Sequence, residues 1–310
     1  MNNWFQTDEC LEFYRSLGFV EAFECSVKRG NETKGRIVGY IQKDGGKLKS
    51  FLSRRAVING GPMLSEDISE EELKQLLDSC RQMLKGRAIY VETRNFEDFG
   101  KFKNVFEDEG WKYEPHYNFQ IDTSNVETVE EHLGKSRKRD IRTSLRDGAS
   151  FSEAANVEEV GELYGILEKL YFTKVKTPLF PIEFFDKLYS SDWGKIFVVR
   201  YGGRVVGGTV CACDGDTVYE WFACGEDGIS KSVFPSTLAT YAGIMYAAEH
   251  GHRRFDMMGA GAPGDGGYGV RDFKAKFGGE LVEHGRFKCI LNPMLYKVGT
   301  IGVKIIKKLK

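Results

Sequence analysis

Residues 195–225 read KIFVVRYGGRVVGGTVCACDGDTVYEWFACG. β-Branched and aromatic residues run through this stretch, and it is interrupted at Gly202-Gly203 and again at Asp214-Gly215. That pattern predicts three antiparallel strands joined by tight turns. A helix from about Pro235 to His250 is expected next, with proline in its first turn. The strand RRFDMM (253–258), a short helix containing RDFKAKF (271–277) and the strand ELVEHGRFKCIL (280–291) follow.

The first half repeats this order. GRIVGYIQK (35–43), a turn at Gly45-Gly46 and LKSFLSRRAVINGGPML (48–64) read as strands. Ser69 to Glu72 form a capping box opening a helix that runs to Gly86. The strand AIYVETR (88–94), a helix around residues 96–109 and the strand WKYEPHYNFQID (111–122) complete the unit. FKNVF (102–106) precedes the last strand of the first half, and FKAKF (273–277) that of the second. Such self-similarity predicts a duplicated unit of antiparallel strands, helix, strand, helix and strand. It also predicts that the phenylalanines pack along one helical face.

The chain has 310 residues, 13% of them aromatic, which is material for two cores. A formal charge of −1 excludes a general polycation, so DNA is not an expected partner and any RNA contact must be a local patch. The seven cysteines have no metal-type spacing and read as buried thiols, and the five histidines lack carboxylate or cysteine company at ligand spacing. The first residues, MNNWFQTDECLEFYRSLGF, are acidic where a signal peptide is basic and then apolar, and no segment has the length of a membrane span. A cytoplasmic protein without a metal is expected.

The segment KSRKRDIRTSLRDG (135–148) predicts a helix capped by Ser136 and ending before Gly148. It carries Lys135, Arg137, Lys138, Arg139, Arg142 and Arg146 against two aspartates. A solvated face, a phosphate clamp and a tRNA contact are all open readings, with Lys174 and Lys176 able to extend the same patch. The C-terminal KVGTIGVKIIKKLK is basic and amphipathic, which suits either a membrane surface or a docked helix with a lysine tail. Gly259-Ala-Gly-Ala-Pro-Gly264 matches GxGxxG, yet Pro263 and DGGYG follow where a dinucleotide site needs a long helix. A glycine-rich loop lying close over a substrate is the better reading.

FQTDECLEFYRSL (5–17), RRAVINGGPM (54–63), KSRKRDIRTSLRDG, PIEFF (181–185), FDMMGAG (255–261) and YGVRDFKAKFGGE (268–280) stand in the order found in the Fem-type aminoacyltransferases, which build peptidoglycan interpeptide bridges. The chain resembles the compact members that lack a coiled-coil arm. The resemblance implies an α+β (α/β) fold of two tandem GNAT-like domains, each a mixed, mostly antiparallel sheet flanked by helices. On that basis residues 1–130 form the first domain, joined by a returning helix at 292–310, and residues 131–291 form the second. It further implies transfer of an amino acid from aminoacyl-tRNA to an amine of a lipid-linked or UDP-linked muramyl peptide, without metal or CoA, at the inner face of the membrane.

By the same resemblance, Phe273 and Lys274 line the position of the terminal adenosine and the tetrahedral intermediate. Lys274 would supply a cation to the oxyanion; a solvated helix lysine is the alternative, since Lys103 holds the repeated position. Asp265, Tyr268 and Asp272 flank the site and could orient the amine or relay its proton. Asp256 reads as a carboxylate holding the glycine loop by its amides. Arg137, Lys138, Arg142, Lys174 and Lys176 are candidate ligands of an anionic substrate. Phe180 stands where the family has an arginine for the precursor diphosphate, and Arg15 is loosely placed to replace another phosphate ligand. Transfer from acyl-CoA or an acyl carrier is the runner-up. It predicts a glycine-rich phosphate loop where this chain has CGEDGISKSVFPSTLATY (224–241). A non-catalytic binder of precursor or RNA is the third reading.

Overall fold

The computed structural model describes residues 3–42, 53–265 and 269–308, with backbone alone for 301–308. The expected Gly45-Gly46 turn lies outside the described residues. The chain divides into two compact units, residues 1–116 with 283–310, and residues 117–282.

In the first unit the strands are β1 (Val20–Arg29), β2 (Glu32–Gln42), β3 (Arg55–Gly60), β4 (Met63–Leu64), β5 (Tyr90–Asn95) and β6 (Trp111–Glu114). In the second they are β7 (Tyr117–Asp122), β8 (Ser150–Glu153), β9 (Gly194–Tyr201), β10 (Arg204–Asp214), β11 (Thr217–Gly225), β12 (Arg254–Asp256) and β13 (Glu280–Glu283). The last strand, β14 (Arg286–Ile290), returns to the first sheet, whose order is β1-β2-β3-β5-β14-β6 with β4 on β2. The second sheet runs β13-β7-β12-β11-β10-β9-β8. Each sheet has one parallel pair among the registered pairs, β3 with β5 and β11 with β12, beside antiparallel neighbours.

The duplication is thus present, with one difference from the expected boundaries. WKYEPHYNFQID is not one strand: it breaks at Pro115-His116, so β6 stays in the first sheet and β7 joins the second. ELVEHGRFKCIL breaks at His284-Gly285, where Gly285 has φ +63°, and β13 and β14 part in the same way. Proline lacks a ladder N–H and glycine tolerates positive φ, so both breaks fall at residues that end a strand. The divisions therefore lie at 116/117 and 282/283, not at 130 and 291.

Local signals were honoured elsewhere. Ser69 and Glu72 form the reciprocal capping box of the helix Glu70–Leu84. Gly202 and Gly203, both at positive φ, turn β9 into β10, and Pro235 opens the helix Pro235–Glu249. The helix Lys135–Arg146 differs: Gly134 is its N-cap and Ser136 lies inside. Glycine is favoured there because a Cβ at 134 would stand 2.7 Å from the Lys276 carbonyl oxygen, to which the Gly134 N–H is bonded at 3.0 Å.

The repeated phenylalanines pack as expected. Phe106 is fully buried, stacked on Phe287 at 4.0 Å and edge-on to Trp111, while Phe277 is buried in the second core with Phe273 at its margin. All seven cysteines are free thiols, six of them buried. The C-terminal helix Pro293–Lys308 belongs to the first unit, where Tyr296 sets its ring edge-on to Tyr90 at 5.5 Å. Among the described residues no helix is long and apolar enough to cross a membrane.

Candidate active site

The second sheet opens where its parallel strands part. β11 and β12 pair only over Thr217–Tyr219 and Arg254–Asp256, and β11 then continues to Gly225 paired with β10 but no longer with β12. The chain beyond β12 stays with β7 instead: Met257 N–H bonds Phe119 O at 3.0 Å, and Ala260 N–H bonds Tyr117 O at 2.7 Å. Met258, at φ +52°, takes the chain away from β11. A β-bulge adds to the divergence. Val210 pairs with Phe222 and Cys211 with Glu220, so Trp221 is the extra residue and Glu220 is turned inward.

The resulting cleft, about 360 Å³, has Glu220, Trp221, Met257, Phe273 and Lys274 among its lining. That volume lies within the usual range of small-molecule sites. Two main-chain carbonyls at its floor, Met257 O and Gly259 O, lack strand partners because β11 has left. Lys274 Nζ donates to both, the second at 2.9 Å. A buried carbonyl needs a donor, so the lysine closes the gap that the splay creates. Its side chain is 13% exposed, and Nζ stands 3.9 Å from Glu220 Oε2. Glu220 Oε1 accepts from Thr240 Oγ at 2.7 Å. Burial lowers the Lys274 pKa, with Glu220 and Asp256 opposing the shift, and burial raises that of Glu220 against the pull of Lys274. An ammonium has three donors, and two are committed to the carbonyls.

The solvated-lysine alternative fails on position. Lys103, its counterpart in the first unit, lies over the Tyr113 ring at 4.6 Å, whereas Lys274 is held inside the second sheet's opening.

The glycine run is fixed from three directions. Asp256 accepts from Met258 N–H at 2.8 Å and from Asn118 and Gln120, as expected of a loop anchor. Asn118 Oδ1 accepts from Gly259 N–H at 2.8 Å. Arg271 donates to the carbonyls of Ala260 and Ala262 while stacking on Tyr117. Asp265 closes a turn by accepting from Ala262 N–H at 2.9 Å, which is a role within the loop. Asp272 is exposed in the first turn of the helix Gly269–Ala275. Tyr268 lies outside the described residues.

Arg137 corrects the reading of its helix. Its guanidinium is buried, 4.3 Å over Phe273 and 4.9 Å over Phe277, donating to Phe273 O at 3.1 Å and to Asp140. Burial lowers its pKa against the opposing Asp140 charge. It therefore positions the helix that carries Lys274 and does not face an external phosphate. Lys138 is half-buried and Arg142 exposed, and neither has an ion-pair partner among the described residues. Lys174 is exposed on the cleft rim, paired with Asp227, and Lys176 is exposed beside it. Arg15 lies in the first unit, in an exposed pair with Glu12 at 2.6 Å. Phe180 is a core residue, 4.7 Å from Phe184 and in edge contact with Phe222.

Glu220 and Arg271 were not singled out from sequence. A carboxylate inside the apolar run TVYEWFACG was the available signal for the first. Arg271 sits in a helix whose polar positions all look alike. Among the described residues no group of His, Cys, Asp and Glu is placed to hold a metal ion.

Residues 135–274 match the acetyltransferase (GNAT) domain family. No curated protein matches the sequence. Among solved structures the chain is similar to FemX, with 16% identity, 96% of this chain and 94% of that chain covered, and a TM-score of 0.71. It is also similar to L-PGS from Bacillus licheniformis (16% identity, 94% and 91% covered, TM-score 0.58). A tandem GNAT protein from the clavulanic acid biosynthesis pathway gives 10% identity, 90% and 85% coverage and a TM-score of 0.55. The match to the acetyltransferase (GNAT) domain family thus falls within the second unit, and the chain shares with FemX the tandem GNAT-like fold.

Proposed function

We propose that the chain transfers an amino acid from aminoacyl-tRNA to an amine of a peptidoglycan stem peptide. The observation that carries this reading is the Lys274–Glu220 pair at the floor of the cleft. An amine attacking an aminoacyl ester forms an N–C bond, passes through a tetrahedral oxyanion and releases the ribose hydroxyl. The donor is already activated, so orientation, a charge at the oxyanion and a proton acceptor suffice. Lys274 supplies the charge. Glu220 accepts the proton that the amine loses, and the departing oxygen is protonated in turn.

The junction after β11 favours this donor over acyl-CoA. A pyrophosphate needs free N–H groups at the helix start. Here Pro235 has none, Ser236 N lies against the Gly225 backbone, and the Thr237 and Leu238 N–H groups both bond Phe234 O. The same reading places the reaction in the cytoplasm, at the inner face of the membrane where a lipid-linked acceptor would lie. A UDP-linked acceptor is equally suited to the cleft. With Phe180 in the core, the acceptor diphosphate must be held by other residues. The basic helix Pro293–Lys308, with Met294 and Val298 exposed, is the segment suited to the membrane surface.

The test is transfer of labelled amino acids from charged bulk tRNA to a soluble muramyl pentapeptide, with acetyl-CoA as parallel donor. Ribonuclease-sensitive label on the peptide is expected; label from acetyl-CoA alone would overturn the reading. The rate should rise with pH through the ionisation of Glu220. Because burial raises that pKa, the acid limb should lie above the ordinary carboxylate range and vanish in Glu220→Gln. An unchanged limb in that variant would remove Glu220 as proton acceptor.

A further inference from the structure

On the rim of the cleft the helix Val157–Leu170 runs into a π-helical turn, Tyr171–Val175. The turn closes with Lys176 N–H on Tyr171 O at 2.7 Å, and Lys176 takes the left-handed conformation at φ +56°. A π turn inserts one residue, and a lysine at positive φ is disfavoured; both features concentrate at functional sites. The insertion leaves Phe172 82% exposed, while the preceding Tyr171 turns to the cleft and approaches Phe222.

Cations follow this phenylalanine in its turn and recur on the loop and helix linked to that turn. Lys174 and Lys176 follow it in sequence. Lys174 pairs with Asp227, at the start of the loop that leaves β11. That loop carries exposed Lys231 and ends against the basic helix, where Phe234 N–H bonds Ser144 Oγ at 3.0 Å. Exposed Arg142 lies on the same helix. An unpaired aromatic face set among lysines and arginine, beside a cleft, has the chemistry of a single-stranded nucleic-acid platform: bases stack on the ring and phosphates meet the cations.

We propose that the Tyr171–Lys176 turn is an RNA-docking element in which Phe172 stacks on an unpaired base next to the aminoacylated 3′ terminus, with Lys176, Lys231 and Arg142 taking backbone phosphates. This rests on the aminoacyl-tRNA reading and specifies how the donor is held. Phe172 is exposed, so its replacement leaves the core untouched.

The experiment is fluorescence anisotropy of a labelled RNA hairpin with a four-nucleotide unpaired 3′ tail, against the same hairpin with a blunt end. Phe172→Ala should weaken binding of the tailed hairpin by roughly five- to a hundred-fold, the range of one lost base–aromatic stack. Binding of the blunt hairpin should hardly change, and Phe172→Trp should retain tail binding. Equal affinity of Phe172→Ala and the wild type for the tailed hairpin overturns the proposal. If wild type still transfers amino acids in that case, the platform falls and the aminoacyl reading stands; if wild type shows neither transfer nor preference for the tail, both fall. Vesicles of anionic lipid form a second arm. Loss of vesicle binding in Phe172→Ala with RNA affinity intact would make this turn a membrane contact and likewise overturn the proposal.

Discussion

Lys274→Ala should lower turnover by one to three orders of magnitude while affinity for the precursor hardly moves. The lower figure corresponds to losing part of the charge at the oxyanion. The upper, about 4 kcal/mol at about 1.4 kcal/mol per factor of ten, is the top of the range attached to removal of one oxyanion donor. A structural cost accompanies the catalytic one, because the carbonyls of Met257 and Gly259 lose their shared donor and Glu220 loses its neighbouring charge. Turnover and unfolding must therefore be measured together. Slow transfer with a folded cleft and unchanged precursor binding assigns the charge to the transition state. An unchanged rate would sink that role.

The second large effect is on stability. Arg137→Ala removes a guanidinium stacked on two phenylalanines and bonded to the Phe273 carbonyl, and it deprives buried Asp140 of a partner. Breaking a buried pair costs about 3–5 kcal/mol. The lower end is expected, since exposed Arg139 still reaches Asp140 at 3.2 Å. Urea denaturation should show a loss of about 3 kcal/mol in the second unit. Arg137→Lys should not restore it, since an ammonium cannot stack as a plane while donating sideways. A midpoint equal to the wild type would show the stack to be idle.

Charge reversal on the same helix at Lys138 and Arg142 should behave otherwise. Unfolding should stay within about 0.5 kcal/mol of wild type, as for most surface changes. RNA affinity should fall, with the slope of log affinity against log salt reduced by about 0.7 per lost phosphate contact. Unaltered binding at low salt would detach this helix from the donor.

This contrast shows where sequence reading stops. Arg137, Lys138 and Arg142 are chemically alike and adjacent in a basic run, so composition offered all three to a phosphate. Only the approach of the helix Gly269–Ala275, whose Phe273 offers its ring and carbonyl to the guanidinium, decides that Arg137 points inward. The repeated FKxxF motif, by contrast, was legible because both copies obey the same local periodicity, and Phe106 and Phe277 are buried accordingly. Lys103 and Lys274 share a motif position but not an environment, because the carbonyls that hold Lys274 come from the splay after β12. Glu220 was hidden for a similar reason. Its inward turn comes from a bulge fixed by pairing with β10, and pairing register is a property of two strands. The strand breaks at Pro115 and Gly285 were visible as residue types, yet nothing local says that a strand continues in a different sheet.

That exchange bears on how the protein is made. The first sheet has a gap between β5 and β6 that only β14 fills. Domains commonly fold from the N-terminus as they leave the ribosome, at about 5–20 residues per second. Here the first unit must wait for Arg286–Ile290, on the order of ten to thirty seconds after β6 has been synthesised at those rates. During that interval the open edges of β5 and β6 are exposed to other nascent chains, which makes the half-synthesised polypeptide a natural client for a chaperone.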